Sequence, residues 1–153
     1  MNNLAFLLIF LFLFLREPVK DSLNTPIVGD YHFHLFGLTP NRGKVRVVLY
    51  NDPKLFLSQY GFYRADSAFV SKDGTADIFV RNLVYGKYAG TFYQDENVNY
   101  IIDRNAVGLP IEPFAFSNGV RAKWKIPAFE NVSFDFNKSN NFQKVQLNYW
   151  YNQ

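Results

Sequence analysis

The chain has 153 residues, a net charge of +3, 48% hydrophobic and 19% aromatic residues, and no cysteine. That is enough apolar material for one packed domain, and it excludes a disulfide framework, thiolate metal sites and a cysteine nucleophile. The 16 Lys and Arg residues are scattered, with no basic helix and no arginine-rich arm, which speaks against nucleic acid as a partner.

The first feature in chain order is LAFLLIFLFLFL, an unbroken apolar run of 12 residues from Leu4 to Leu15. A membrane-spanning helix needs about 20 residues. Twelve suit the hydrophobic region of a secretory signal peptide. The run predicts a leader over residues 1–15 with cleavage between Leu15 and Thr25, an uncleaved anchor being the alternative. No transmembrane span is expected in the mature chain. The expected location is outside the cytoplasm: periplasmic, attached to an outer membrane, or extracellular.

From Asp30 onward apolar and polar residues alternate with period two, the mark of half-buried strands. Tyr31, Phe33 and Leu35 oppose His32, His34 and Phe36. Val45, Val47 and Leu49 oppose Lys44 and Arg46. Ala76, Ile78 and Val80 oppose Asp77 and Arg81. Tyr88, Gly90 and Phe92 oppose Ala89, Thr91 and Tyr93. Val132, Phe134 and Phe136 oppose Ser133 and Asp135. Val145, Leu147, Tyr149 and Tyr151 oppose Lys144, Gln146, Asn148 and Trp150. Asn41-Arg42-Gly43, Lys72-Asp73-Gly74 and Tyr85-Gly86 supply turn chemistry between the runs. The strongest helical stretch, 52–62, amounts to one turn or a loop. The pattern predicts an all-β domain over residues 28–153: a single antiparallel β-sandwich of about seven strands, each sheet with one buried and one wet face, and a long irregular loop at 95–118.

That loop, DENVNYIIDRNAVGLPIEPFAFSN, carries the most unusual chemistry. Asp95, Asn97, Asn99 and Asp103 sit at odd spacings, with the Ile101 carbonyl falling at the remaining odd position and Glu112 able to fold back. Hard oxygen donors at alternate positions of a tight turn can converge on Ca2+. Tyr100 opposes this, because the sixth position of such loops turns with positive φ and favours glycine. The competing explanation is packing: Asp and Asn satisfy their own backbone in turns without any metal. His32 and His34, at i and i+2 on one strand face, form a second candidate pair for Zn2+ or Cu2+ if a carboxylate completes it.

Enzyme signatures are missing. There is no G-x-S-x-G elbow, no H-E-x-x-H and no phosphate-cradling glycine loop. Asp95 and Asp103 lie in one turn, a poor arrangement for the paired carboxylates of a small hydrolase. Exposed Tyr93, Trp124 or Trp150 would suit a carbohydrate-binding module. The leading expectation is a non-catalytic protein with one calcium ion in the 95–103 loop and no assigned partner, a glycan or a cell-envelope protein being the candidates; a carbohydrate-binding module is the alternative and a small hydrolase the third reading.

Three segments together carry a family resemblance. They are Gly86-Lys87-Tyr88-Ala89, the run from Asp95 to Asp103, and Gly108-Leu109-Pro110-Ile111-Glu112 closing in Phe116-Ser117-Asn118. The chain resembles the bacterial secreted family called Domain of Unknown Function 2141 over about residues 28–151. The resemblance implies an exported immunoglobulin-like or transthyretin-like sandwich with no assigned reaction or ligand. Tyr100 departs from the family pattern, which has glycine there. Transthyretin-like sandwiches include hydroxyisourate hydrolases with a C-terminal Y-R-G-S signature, and Asn148–Gln153 does not match it.

Overall fold

A computed structural model describes residues 25–122 and 125–152 of the chain. The apolar leader and Trp124 lie outside the described residues. Among those described, no helix is long and apolar enough to cross a membrane. Eight strands follow in order: β1 (Val28–Phe36), β2 (Lys44–Tyr50), β3 (Arg64–Phe69), β4 (Thr75–Val84), β5 (Gly86–Asp95), β6 (Phe114–Phe116), β7 (Ser133–Phe136) and β8 (Phe142–Gln146). One short helix, α1 (Phe129–Val132), precedes β7, and Pro53–Leu55 forms a single 3-10 turn.

The strands make two facing sheets. One has the order β4-β1-β8. The other runs β3-β2-β5, with β6 and β7 both paired to the far edge of β5, end to end. The pairing is antiparallel except between β1 and β8, which run parallel with His32 opposite Phe142. The antiparallel β-sandwich expected from the sequence is present, with one parallel pair at that edge. The chain reaches β8 by a return path after β7, and strand direction there follows the path, about which alternation says nothing.

Alternation selects the core. Tyr31, Phe33 and Leu35 of β1 meet Val45, Val47 and Leu49 of β2, with Phe92, Val80 and Val145 closing the layer, all essentially inaccessible. The Phe33 ring lies 4.6 Å from Tyr31 and 5.0 Å from Phe92 by centroid, within the range where edge and tilted aromatic contacts are favourable. Turns fall where their residues tolerate them. Asn41 and Gly43 take positive φ, and a Cβ on Gly43 would lie 2.0 Å from the Asp95 carbonyl oxygen, so only glycine lets the β1–β2 turn seat against the end of β5.

The expectation of one wet face per sheet fails for the larger sheet. A second apolar cluster sits on its outer side: Ala89, Phe114, Phe116, Phe129 and Val132, with Phe56 and Trp150 packed against it. Ala122, Phe129 and Val132, with Phe56 of the segment after β2, supply this cover. It explains why Phe114-Ala115-Phe116 is buried at all three positions.

Candidate binding site

The polar loop is built outward from the end of β5. The β2–β5 register puts Arg46 opposite Tyr93, so Arg46, Tyr93 and Asp95 share the outward face. Asp95 is fully buried there. Its Oδ2 accepts from Arg46 Nε at 2.9 Å and from the Tyr100 N–H at 2.9 Å. Its Oδ1 accepts from the Asn99 N–H at 2.9 Å. A carboxylate buried in this way is neutralised and solvated by the protein itself.

Two further groups close the loop. The amides of Asn97 and Asn99 donate to the two oxygens of Asp103, at 2.7 and 3.0 Å. Asn97 Oδ1 accepts from the Asn99 N–H and Asn99 Oδ1 from the Ile101 N–H, two successive Asx turns. Glu112 is buried, and its two oxygens accept the backbone N–H groups of Glu96 and Asp103, both at 2.9 Å. Burial pushes the Glu112 carboxyl above its ordinary range, against the opposing pull of those two N–H bonds. Between them, residues 103–111 form a small hairpin with Gly108 at φ 83° and Arg104 bridged to Pro110.

The six residues expected to hold calcium therefore fall into separate roles. Asn97, Asn99 and Asp103 are brought together. Asp95 faces Arg46, Ile101 enters through its N–H, and Glu112 ties the base of the loop. Calcium needs six to eight oxygens turned to one point. Here both asparagine amides turn nitrogen toward Asp103, and Asp95 and Glu112 have both oxygens engaged by N–H donors. The glycine-favouring turn nonetheless occurs: Tyr100 has φ 73° and Val98 φ 59°. The Tyr100 ring packs over the Arg46 guanidinium at 4.2 Å, and Tyr93 Oη donates to the Tyr100 carbonyl at 3.1 Å. These contacts offset a left-handed conformation that costs about 1–2 kcal/mol for a side chain with a Cβ. Asp95 and Asp103 serve different parts of this network.

The motif residues beyond the loop also have identifiable work. Tyr88 is buried and donates to the Val84 carbonyl at 2.7 Å, holding the step from Gly86 into β5. Ser117, fully buried after Phe116, accepts from the Gly90 N–H at 2.8 Å and donates to the Val132 carbonyl. Asn118, at φ 61°, donates to the Ser133 carbonyl at 2.8 Å. Phe-Ser-Asn thus ties β6 and β7 to the same edge of β5.

The loop forms one wall of an open groove of about 610 Å3 on the outer face of the larger sheet. Its floor is Arg46, Val48, Tyr50 and Tyr93, beside Ala65 and Ser67 of β3. One wall is Gln59 and Phe62, and the other is Tyr100, Ile101, Ile102 and Arg104. This size, aromatic lining and small set of polar groups suit a small-molecule or oligomeric ligand. Of the aromatics expected to serve a glycan, Tyr93 lines the groove. Trp150 is half-buried and stacks on Phe114 at 6.4 Å, inside the outer apolar cluster. Trp124 lies outside the described residues. Tyr50, Phe62 and Tyr100 were not foreseen as lining residues. The outward alternation of Arg46 on β2 and Tyr93 on β5 is the sequence signal that could have marked this face. On the opposite sheet, His32 and His34 meet at a single oxygen of Asp77.

A family model described as "Uncharacterized protein conserved in bacteria (DUF2141)" matches residues 34–144. No curated protein and no solved structure matches the chain.

Proposed function

For a chain that belongs to this uncharacterised bacterial family, we propose the role of a non-catalytic, exported β-sandwich that binds a glycan in the groove between residues 59–62 and 100–104. The observation that carries the reading is the composition of the groove. Tyr50, Phe62, Tyr93 and Tyr100 lie beside Arg46, Arg104, Asp66 and Gln59 in one open depression. The C–H face of a sugar ring packs on aromatic side chains, while its hydroxyls bond to guanidinium, carboxylate and amide groups. The apolar run at Leu4–Leu15 supports export. Glycan-array screening followed by calorimetry on the hits tests the binding. Tyr100→Ala should weaken a true ligand at least tenfold, and equal binding by that variant would place the ligand elsewhere. Cell fractionation tests the export.

A second reading is favoured by one observation, the positive φ that Tyr100 adopts despite its side chain. The turn required of a calcium loop is present, and rotation of the Asn97 and Asn99 amides would turn oxygens toward a cation beside Asp103. A ligand at 100 times its dissociation constant stabilises by about 2.7 kcal/mol. A melting midpoint that rises with calcium and not magnesium, and stops rising in Asp103→Ala, supports this reading. An unchanged midpoint at several times a millimolar-range dissociation constant ends it.

A further inference from the structure

We propose that His32, His34 and Asp77 form a binding site for a borderline divalent transition-metal ion of the Zn2+ class, on the outer face of the β4-β1-β8 sheet. The site is independent of the groove, which lies on the other sheet. His32 Nε2 lies 2.6 Å and His34 Nδ1 3.0 Å from the same oxygen, Asp77 Oδ1. The strands fix this convergence. His34 stands directly opposite Asp77 in the β1–β4 register, and His32 stands opposite Phe79 on the same face. The His32 ring stacks on Phe79 at 4.2 Å with a 9° tilt and touches Phe142 from the other side at 5.0 Å, which sets the direction of its nitrogen. All three side chains are between 29% and 47% exposed, open enough for an ion to enter from solvent.

Donors held 2.0–2.1 Å from a tetrahedral ion lie about 3.3 Å from one another. The two His–Asp separations, 2.6 and 3.0 Å, fall short of this by about 0.7 and 0.3 Å. As the side chains stand, no group of three His, Asp or Glu residues among those described is placed to hold a metal ion, so the Asp77 carboxylate must draw back to admit one. That movement falls on an exposed side chain, while the imidazoles stay on packed strands. Two imidazoles and one carboxylate select Zn2+ or Cu2+ over calcium and magnesium, and three protein donors leave a position for water. Two cations flank the site, and both are engaged elsewhere. Lys144 pairs with His34 on β8, and its Nζ lies over the Phe36 ring at 4.9 Å. Arg81 is paired with Asp30 at 3.1 Å.

The test is titration of the untagged full chain with ZnCl2 by calorimetry, alongside proton NMR of the imidazoles. The chain has only 2 histidines, so both resonances are readable. The expected result is one ion per chain with a dissociation constant below about 100 µM, and both imidazole signals moving together. Asp77→Asn and His34→Gln should each weaken binding tenfold or more, with His34→Gln leaving the melting midpoint in EDTA close to that of the parent. CaCl2 should give no saturable signal. Absence of saturation at 1 mM Zn2+, about ten times the expected limit, overturns the proposal. So does binding that neither variant weakens, or movement of only one imidazole. If Asp77→Asn does not fold, His34→Gln decides the matter alone.

Discussion

The inter-sheet core and the 95–112 loop are both closely held, but by opposite means. In the core, order comes from apolar area: Phe33, Phe92 and Val47 are essentially inaccessible and contribute no polar group. In the loop, exposed apolar tips such as Val98, Ile101 and Val107 surround buried Asp95 and Glu112. There the chain is held by charge and N–H bonds. The core tolerates change in proportion to lost volume, whereas the loop depends on a few carboxylates whose donors have no substitute.

The largest expected effect lies in the core. Phe33→Ala should lower global stability by about 3–5 kcal/mol in denaturant unfolding, with exchange protection falling throughout. Asp95→Ala should cost about 3 kcal/mol, because Arg46 is left without its partner and two backbone N–H groups lose their acceptor. Its signature differs: hydrogen exchange should rise first at residues 97–103, with the core strands still protected. Uniform loss across both regions would contradict the division. Val98→Gly should stabilise by about 0.5–1 kcal/mol, since relief of the left-handed backbone exceeds the added entropy of glycine in the unfolded chain. Its melting midpoint checks this.

The smallest effect is a slope with pH. The Glu112 carboxyl is raised in the folded state, so that state binds its proton more tightly than the unfolded chain does. Stability from this group is therefore fully present below the ordinary carboxylate value and lost as pH rises through the raised one. Asp77 acts in reverse in a more acidic window. Its lowered carboxyl contributes stability above the ordinary value that is lost as pH falls through the folded one. Chemical denaturation across the mildly acidic range should show the Glu112 slope in the parent and its absence in Glu112→Gln. An equal slope in both proteins would assign it to another group.

Period-two alternation made β1, β2, β4, β5, β7 and β8 legible, because each turns alternate apolar residues into the inter-sheet core, β5 even though its outer face is covered as well. It missed β3, whose Arg-Ala-Asp-Ser-Ala-Phe sits at an edge with mostly exposed residues. It also missed β6, three residues buried on both sides. The loop residues could be singled out from their spacing, but not their wiring. Arg46 stands 49 residues before Asp95, and Asp77 stands 45 and 43 residues after the two histidines. Partners so distant are chosen by strand register, which depends on the whole sheet.

The parallel seam between β1 and β8 has a consequence for the order of assembly. β1 pairs with β4 on one edge and with residues from Phe142 onward on the other. During synthesis its second edge stays uncovered until those residues exist, and such late, long-range closure slows folding. An uncovered strand edge invites pairing with another chain. Under the export proposed above, the same delay would be an advantage: the nascent chain would stay a passable thread until β8 is made.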